Sequence, residues 1–524
     1  MPSMNSTLLS NLGVACKEGQ ILTDPTSCNL YAQDVYTRSM PAGVVLRPGS
    51  LNELAAFMAV LHQNGTPSVP RGGGMSYTGG LVPESENWAV LALGLLDRVL
   101  EVNTTDMTVT VEAGCTWNAL HKALAGTRLR TPYWGTLSGI RATVGGSLSQ
   151  NSIFWGSGQF GSAVDSVLSL TVVLADGTLV NTGSAAINGA SPFFRHFGPD
   201  LTGLFCADTG ALGVKAKATL RLIPELPAQE YLAFDFASVE PTLAAMSDIA
   251  RSNLASECFA FDPYLQAQRM KRQSLASDVK SLAGVMKKAD SLTVALKEGA
   301  RIAMAGRRFM QDVDYSVQII AEDLEPAGAR SRADSLRRLC KQHGGREIEN
   351  SIPKITRANP FGPLNSMLGP QGERWLPVHG LFPHSKFAEA FNATEQLFEQ
   401  NRERSEALDV ATGYLLATIS THCCVVEPVF FWPDELHELH EDAVEADHLA
   451  RLPRRNANLE ARNHVHYLRS QIIELYSRLG AAHLQIGRSY RYHEALGPGA
   501  ARLIEAIKQA VDSEGLMNPG SLGL

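Results

Sequence analysis

The chain has no stretch of about twenty apolar residues free of charge, so no segment reads as a helix able to cross a bilayer. Surplus positive charge is also missing. Lys+Arg 46 against Asp+Glu 53 leaves a net charge of -7, and binding along a phosphate backbone needs the opposite balance. Nucleic acid is therefore not an expected partner. The eight cysteines, at 16, 28, 115, 206, 258, 340, 423 and 424, contain no CxxC pair, which excludes a zinc knuckle and argues against a disulfide framework. The first residues, MPSMNSTLLSNLGVACKEG, lack the basic cluster and apolar core of a signal peptide, so a reducing cytoplasm is the expected location. No internal repeat or low-complexity tract is present.

What is present is length and glycine. At 524 residues, two large or three ordinary domains are expected, enough to enclose a cofactor. Residues 40–80 predict strand, helix, strand and glycine loop. Ser50 and Glu53 form a capping box at the helix start, Asn64-Gly65 stops it, and Pro67 to Pro70 leads into RGGGMSYTGG. MTVTVEAG (107–114) predicts a strand, followed by Thr116 capping the helix WNALHKAL. VLSLTVVLADGTLVNTG predicts a hairpin turning at Asp176-Gly177, with positive φ at both residues. ALGVKAKATLRLIP (211–224) predicts one more strand. Beyond Pro224, 277–308 reads as a solvated helix, 415–432 as a strand and 434–452 as an acidic helix, with a last helix ending at Gly515.

The loop at 71–80 offers bare backbone amides, a cation in Arg71 and a hydroxyl in Ser76, the equipment for an anion. It is not a mononucleotide loop, having no Lys after the glycines. Nor is it a dinucleotide fingerprint, since Tyr77 stands where the third glycine belongs and no helix follows. A pyrophosphate suits its length. A second glycine cluster, TVGGSLSQNSIFWGSGQFGS, begins about seventy residues later, so an extended cofactor touched at two places is expected.

PRGGGMSYTGG, TVGGSLSQN with WGSGQFG, VVLADGTLV, GALGV and the terminal LMNPG stand in an order that resembles the vanillyl-alcohol oxidase and 4-cresol methylhydroxylase flavoproteins. One branch of that family includes D-lactate and glycolate dehydrogenases. The resemblance covers 40–225 most strongly and 370–524 less so. It implies an α+β, two-domain protein: a PCMH-type FAD-binding domain (1–225), an α/β cap carrying the substrate site (226–485) and a terminal segment (486–524) returning to the FAD domain. By the same resemblance Pro70, Arg71, Gly72, Gly73, Gly74, Met75, Ser76, Gly79 and Gly80 hold the pyrophosphate. Thr143, Val144, Gly145, Gly146, Ser149, Gly156 and Gly161 pass the flavin and ribityl chain, while Gly213, Val214 and Asn518 complete the site.

Relatives that attach the flavin covalently carry a His in the first loop, a cap His or a Cys before TVG. Here those places hold Met75, GERWLPV and Ile140-Arg141-Ala142, so FAD is expected to be dissociable. The resemblance further implies that Tyr490 and Arg491 hold a substrate phenolate, with Tyr77 nearby. Ser162 occupies the position of an Asp that assists hydration in some relatives, and His422 is the candidate replacement. No metal is expected: the 2-hydroxy-acid branch's HxGDGNxH signature is absent, and Glu435, His437, Glu438 and His440 read as a solvated face. Hydride removal from a para-substituted phenol or aryl alcohol is the first expectation. A D-2-hydroxy-acid dehydrogenase and a flavin-using transferase are the alternatives. Oxygen or an electron carrier is the expected acceptor, and a homo-oligomer the expected assembly.

Overall fold

A computed structural model describes residues 6–14, 17, 19–272 and 313–524. The helix expected over 277–308 lies outside the described residues. Strand, helix and strand follow as expected from residue 44: Val44–Leu46, Leu51–Gln63 and Ser68–Arg71. Ser50 caps the helix by accepting from the Glu53 amide, but the Glu53 carboxylate reaches back one residue further, to the N–H of Gly49 at 2.7 Å. Ser68–Arg71 and Val44–Leu46 both pair in parallel with Ala89–Ala92, which aims the ends of all three strands at the glycine loop.

A second sheet of five antiparallel strands runs in the order Val99–Asn103, Thr108–Glu112, Val214–Arg221, Val167–Val173 and Leu179–Asn181. Thr116 caps the helix Trp117–Leu124, as its position predicts. The Asp176-Gly177 hairpin forms with positive φ at Gly177 alone; Asp176 instead accepts from the Thr178 amide and hydroxyl, which closes the turn without it. The chain's end is stitched beside the first sheet, the amides of Ser68 and Asn518 donating to Leu516 and Ser68. The last helix stops at Val511, ahead of Gly515.

The remainder is built on an antiparallel sheet of eight strands between Ala228 and Trp432. Side chains alternate across a strand, and the alternation here separates two jobs. Leu376, Val378, Leu416, Cys424 and Val426 face the helices Val239–Ser252, His384–Gln400 and Leu459–Arg478 in one dry core. Trp375, Pro377, Leu415, Ala417, Val425 and Glu427 face the glycine loops. The stretch read as a single strand over 415–432 is two strands, Ala411–Ile419 and Cys423–Trp432, turned at Ser420. Ser420 takes a positive φ (49°) without being Gly or Asn, so the turn had no local signal; its amide bonds to Ser157 across the junction between the halves. The acidic stretch likewise breaks into two short helices, Glu438–Ala443 and Ala446–Leu449.

Four buried charges tie the halves together. Arg130 pairs with Glu322 at 2.6 Å, Glu322 also binds Arg357, and Arg357 lies 3.7 Å from Glu257, whose carboxylate accepts from the Gly156 amide at 2.7 Å. The Arg357 guanidinium sits 4.3 Å above the Trp134 ring. Each charge is compensated, as burial of ions demands.

Candidate active site

Between the glycine loops and the bare face of the large sheet lies a cavity with an empty volume of about 1910 Å³, part of it open to solvent. Its floor is the loop from Pro70 to Tyr77 and the turn and helix from Ala142 to Gln150.

Gly72, Gly73, Gly74, Met75 and Ser76 all border the cavity, and among the described residues their amides donate to no protein acceptor. Five consecutive unpaired N–H groups form an anion cradle, since buried amides are otherwise nearly always satisfied. Arg71 stands behind them. It is buried, donates to the Gln33 carbonyl, and its guanidinium would meet a Cβ on Gly74 at 2.5 Å. Gly74 also has φ +78°, so glycine is required there on two counts. Burial and the neighbouring Arg141 charge pull the Arg71 pKa down to about 10, which leaves it cationic at neutral pH. The two loops touch: Arg141 Nε donates to the Gly73 carbonyl at 2.9 Å, and a Cβ on Gly73 would strike the Arg141 carbonyl. Thr143 caps the next helix through the Gly146 amide at 3.1 Å. The donor set therefore fits the diphosphate of FAD: the 72–76 amides could hold it, with Gly145, Gly146 and Ser149 alongside.

Thirteen expected residues thus meet at one wall: Pro70, Arg71, Gly72, Gly73, Gly74, Met75, Ser76, Tyr77, Thr143, Gly145, Gly146, Ser149 and Gly213. Others stand elsewhere for definite reasons. The Gly79 amide is bound to Asp34 (2.7 Å), and Gly80 is packed against Thr209 and Gly487. Val144 and Val214 point into the two cores beneath. Gly156 gives its amide to Glu257, and Gly161 lies against the Asp165 carboxylate, so this half of the second loop joins the domains instead of bordering the cavity. Asn518 is a buried clamp, its amide nitrogen donating to the Gly80 and Thr209 carbonyls at 2.7 Å each.

The expected substrate residues are corrected more sharply. Arg491 is 51% exposed and paired with Glu474 at 2.7 Å, facing away from the cavity. Its neighbours on a short surface helix, Tyr492–Ala495, carry it outward. His422 is exposed in the Ser420 turn, at the end of the hairpin rather than on its cavity face. Tyr490 is buried behind the wall; its hydroxyl accepts from the His379 amide at 3.0 Å, and burial raises its pKa to about 12. Tyr77 alone of the four reaches the cavity, edge-on to Trp375 with ring centroids 5.5 Å apart. His437 and His440 turn inward, contrary to the solvated face expected. His437 receives a hydrogen bond from Arg374 (3.1 Å) and His440 one from the His437 amide (3.0 Å).

The ceiling residues Trp375, His379, Leu415 and Glu427 were missed. Glu427 had a signal, being the single charge in the apolar strand CCVVEPVFFW. His379 directly follows WLPV. It is 4% exposed, its Nε2 meets the Leu484 carbonyl at 2.8 Å, and burial drives its pKa down to about 3.

Residues 42–183 match the model of an FAD binding domain, and the fold is that of two-domain PCMH-type FAD-binding proteins. Among curated proteins the chain is 27% identical to a glycolate oxidase subunit GlcD of Bacillus subtilis, over 43% of this chain and 46% of that one. It is 33% identical to a probable mitochondrial D-lactate dehydrogenase of Danio rerio, over 36% and 37%. The chain thus spans less than half the length of either relative. Among solved structures it resembles p-cresol methylhydroxylase with substrate bound (TM-score 0.74, 13% identity, covering 99% of this chain and 98% of that one). It also resembles 4-ethylphenol oxidase from Gulosibacter chungangensis (0.72, 15%, 100% and 98%) and an alkyldihydroxyacetonephosphate synthase (0.70, 15%, 99% and 86%). At these identities the three establish the fold.

Proposed function

We propose that the protein is an FAD-dependent oxidoreductase that removes hydrogen from a hydroxyl-bearing carbon, with a 2-hydroxy acid as substrate class. The observation that carries the flavin part is the run of unpaired amides from Gly72 to Ser76, opening on a cavity shared with the cap. The relatives' names, glycolate oxidase and D-lactate dehydrogenase, support the substrate part. Bound FAD would supply the two-electron acceptor. The protein's own residues then have three tasks: the amides and Arg71 neutralise the diphosphate, the sheet face excludes water, and a polar group receives the substrate. Trp375, Pro377, Leu415, Ala417 and Val425 make that face apolar, which favours a hydroxy acid with a side chain larger than that of lactate.

A second reading, an aryl alcohol or para-substituted phenol, draws on the aromatic lining of Tyr77, Phe154 and Trp375. Arg491 no longer serves it, and Glu427 in the ceiling does not separate the two readings, since a carboxylate there meets a phenolate and a hydroxy-acid carboxylate alike. Anaerobic mixing with D-mandelate, D-2-hydroxyoctanoate and D-lactate, against 4-ethylphenol and vanillyl alcohol, tests both. Bleaching of the flavin band by the acids, fastest for the two larger ones, is expected. Bleaching by the phenols alone would replace the first reading with the second. A bound flavin that none of them bleaches would overturn both in favour of chemistry without net electron transfer.

A further inference from the structure

The imidazole of His379 is held more completely than packing requires. Its amide donates to the Tyr490 hydroxyl (3.0 Å), its carbonyl accepts from His483 Nδ1 (2.9 Å), and its ring Nε2 meets the Leu484 carbonyl (2.8 Å). His483 in turn stacks on Tyr490, ring centroids 4.1 Å apart and 16° from parallel. A carbonyl only accepts, so the ring proton is on Nε2 and Nδ1 carries a lone pair. Among the described residues that Nδ1 has no protein partner; it is not sealed off from solvent and belongs to a side chain bordering the cavity. The ceiling thus presents, beside the Glu427 carboxyl, a neutral acceptor of fixed tautomer.

We propose that His379 Nδ1 is the hydrogen-bond acceptor for the substrate's hydroxyl group, so that this side chain selects hydroxyl-bearing ligands over their deoxy counterparts. The inference rests on the reading that the substrate carries a hydroxyl. Tyr490 is on this view a positioning residue, acting through the His379 main chain. Because Nδ1 carries no proton to donate, it offers nothing to an ether or a hydrocarbon at the same place. Burial keeps the imidazole unprotonated through the physiological range, so the lone pair stays available. The Glu427 carboxyl also borders the ceiling and could accept from a hydroxyl; substitution of His379 alone separates the two acceptors.

The test measures binding without turnover in the FAD-loaded protein, by flavin absorbance changes on titration. The probes are 2-hydroxy-2-methylpropanoate, which has no hydrogen to lose from the hydroxyl-bearing carbon, and 2,2-dimethylpropanoate, in which a methyl replaces the hydroxyl. A roughly tenfold preference for the hydroxy acid is expected from one neutral hydrogen bond. H379F should abolish it with FAD affinity unchanged, and H379N, whose Oδ1 stands near the Nδ1 position, should retain most of it. Full preference in H379F, or none in H379N while both hold FAD, would overturn the assignment. If the wild type binds neither acid but does bind 2-phenyl-2-propanol over tert-butylbenzene, the 2-hydroxy-acid reading fails. The same variants with that pair then decide the role of His379.

Discussion

Three histidines, His379, His437 and His440, are buried without charge, and the consequence is a protein that loses stability in mild acid. Burial lowers the pKa of His379 to about 3 and, with the Arg374 charge beside it, that of His437 to about 2; His440 is held well below the ordinary value by the same two causes. In the unfolded chain each titrates near 6.5. The folded values are the lower ones, so above pH 6.5 the three contribute nothing, and below it the unfolded state takes up protons that the folded state refuses. Between pH 7.5 and 5.5 each costs about 1.4 kcal/mol, and the three together about 4 kcal/mol, a large part of an ordinary folding free energy. Asp262, whose buried carboxyl titrates at about 6, works in the opposite direction, so a difference between variants is the cleaner quantity. Urea unfolding of the wild type and H440Q should be compared at both pH values. The wild type should lose about 1.4 kcal/mol more than the variant over that interval. Equal losses would show that His440 is charged or solvated in the folded protein, and the reasoning would fall.

Four further outcomes are expected. G73A places a methyl group against the Arg141 carbonyl and should weaken FAD binding roughly 5- to 150-fold, from about 1–3 kcal/mol of overpacking, measured by flavin fluorescence titration. E322Q strips the shared counter-ion from Arg130 and Arg357 and should cost about 3–5 kcal/mol in urea unfolding. R491A, which among the described residues removes ion pairs with Glu474 and Glu494, should leave kcat/KM within a factor of two on any substrate the flavin accepts. Acid precipitation should release the yellow colour to the supernatant; colour in the pellet would mean a covalent bond.

The floor of the site was legible in the sequence because it is local. A left-handed turn at Gly74, bare amides at 72–76 and a threonine cap at 143 are each demanded by a few adjacent residues, and glycine announces them. Tyr490 and Arg491 could not be told apart the same way. Adjacent residues on an irregular segment point in different directions, and which one faces the cavity depends on what packs against it: Tyr490 on His379 and His483, Arg491 on Glu474.

By itself, then, the sequence decided that a glycine loop equipped for an anion exists and where it lies along the chain, because backbone conformation and unpaired amides are properties of short segments. Only the tertiary structure decided what covers it. The ceiling is drawn from Trp375, Leu415 and Glu427 on three strands and His379 in the link between two, and a change of register by one residue would have turned each strand side chain into the opposite core. The His379 imidazole borders the cavity by the same kind of long-range packing: three partners at 483, 484 and 490, about a hundred residues away, orient it.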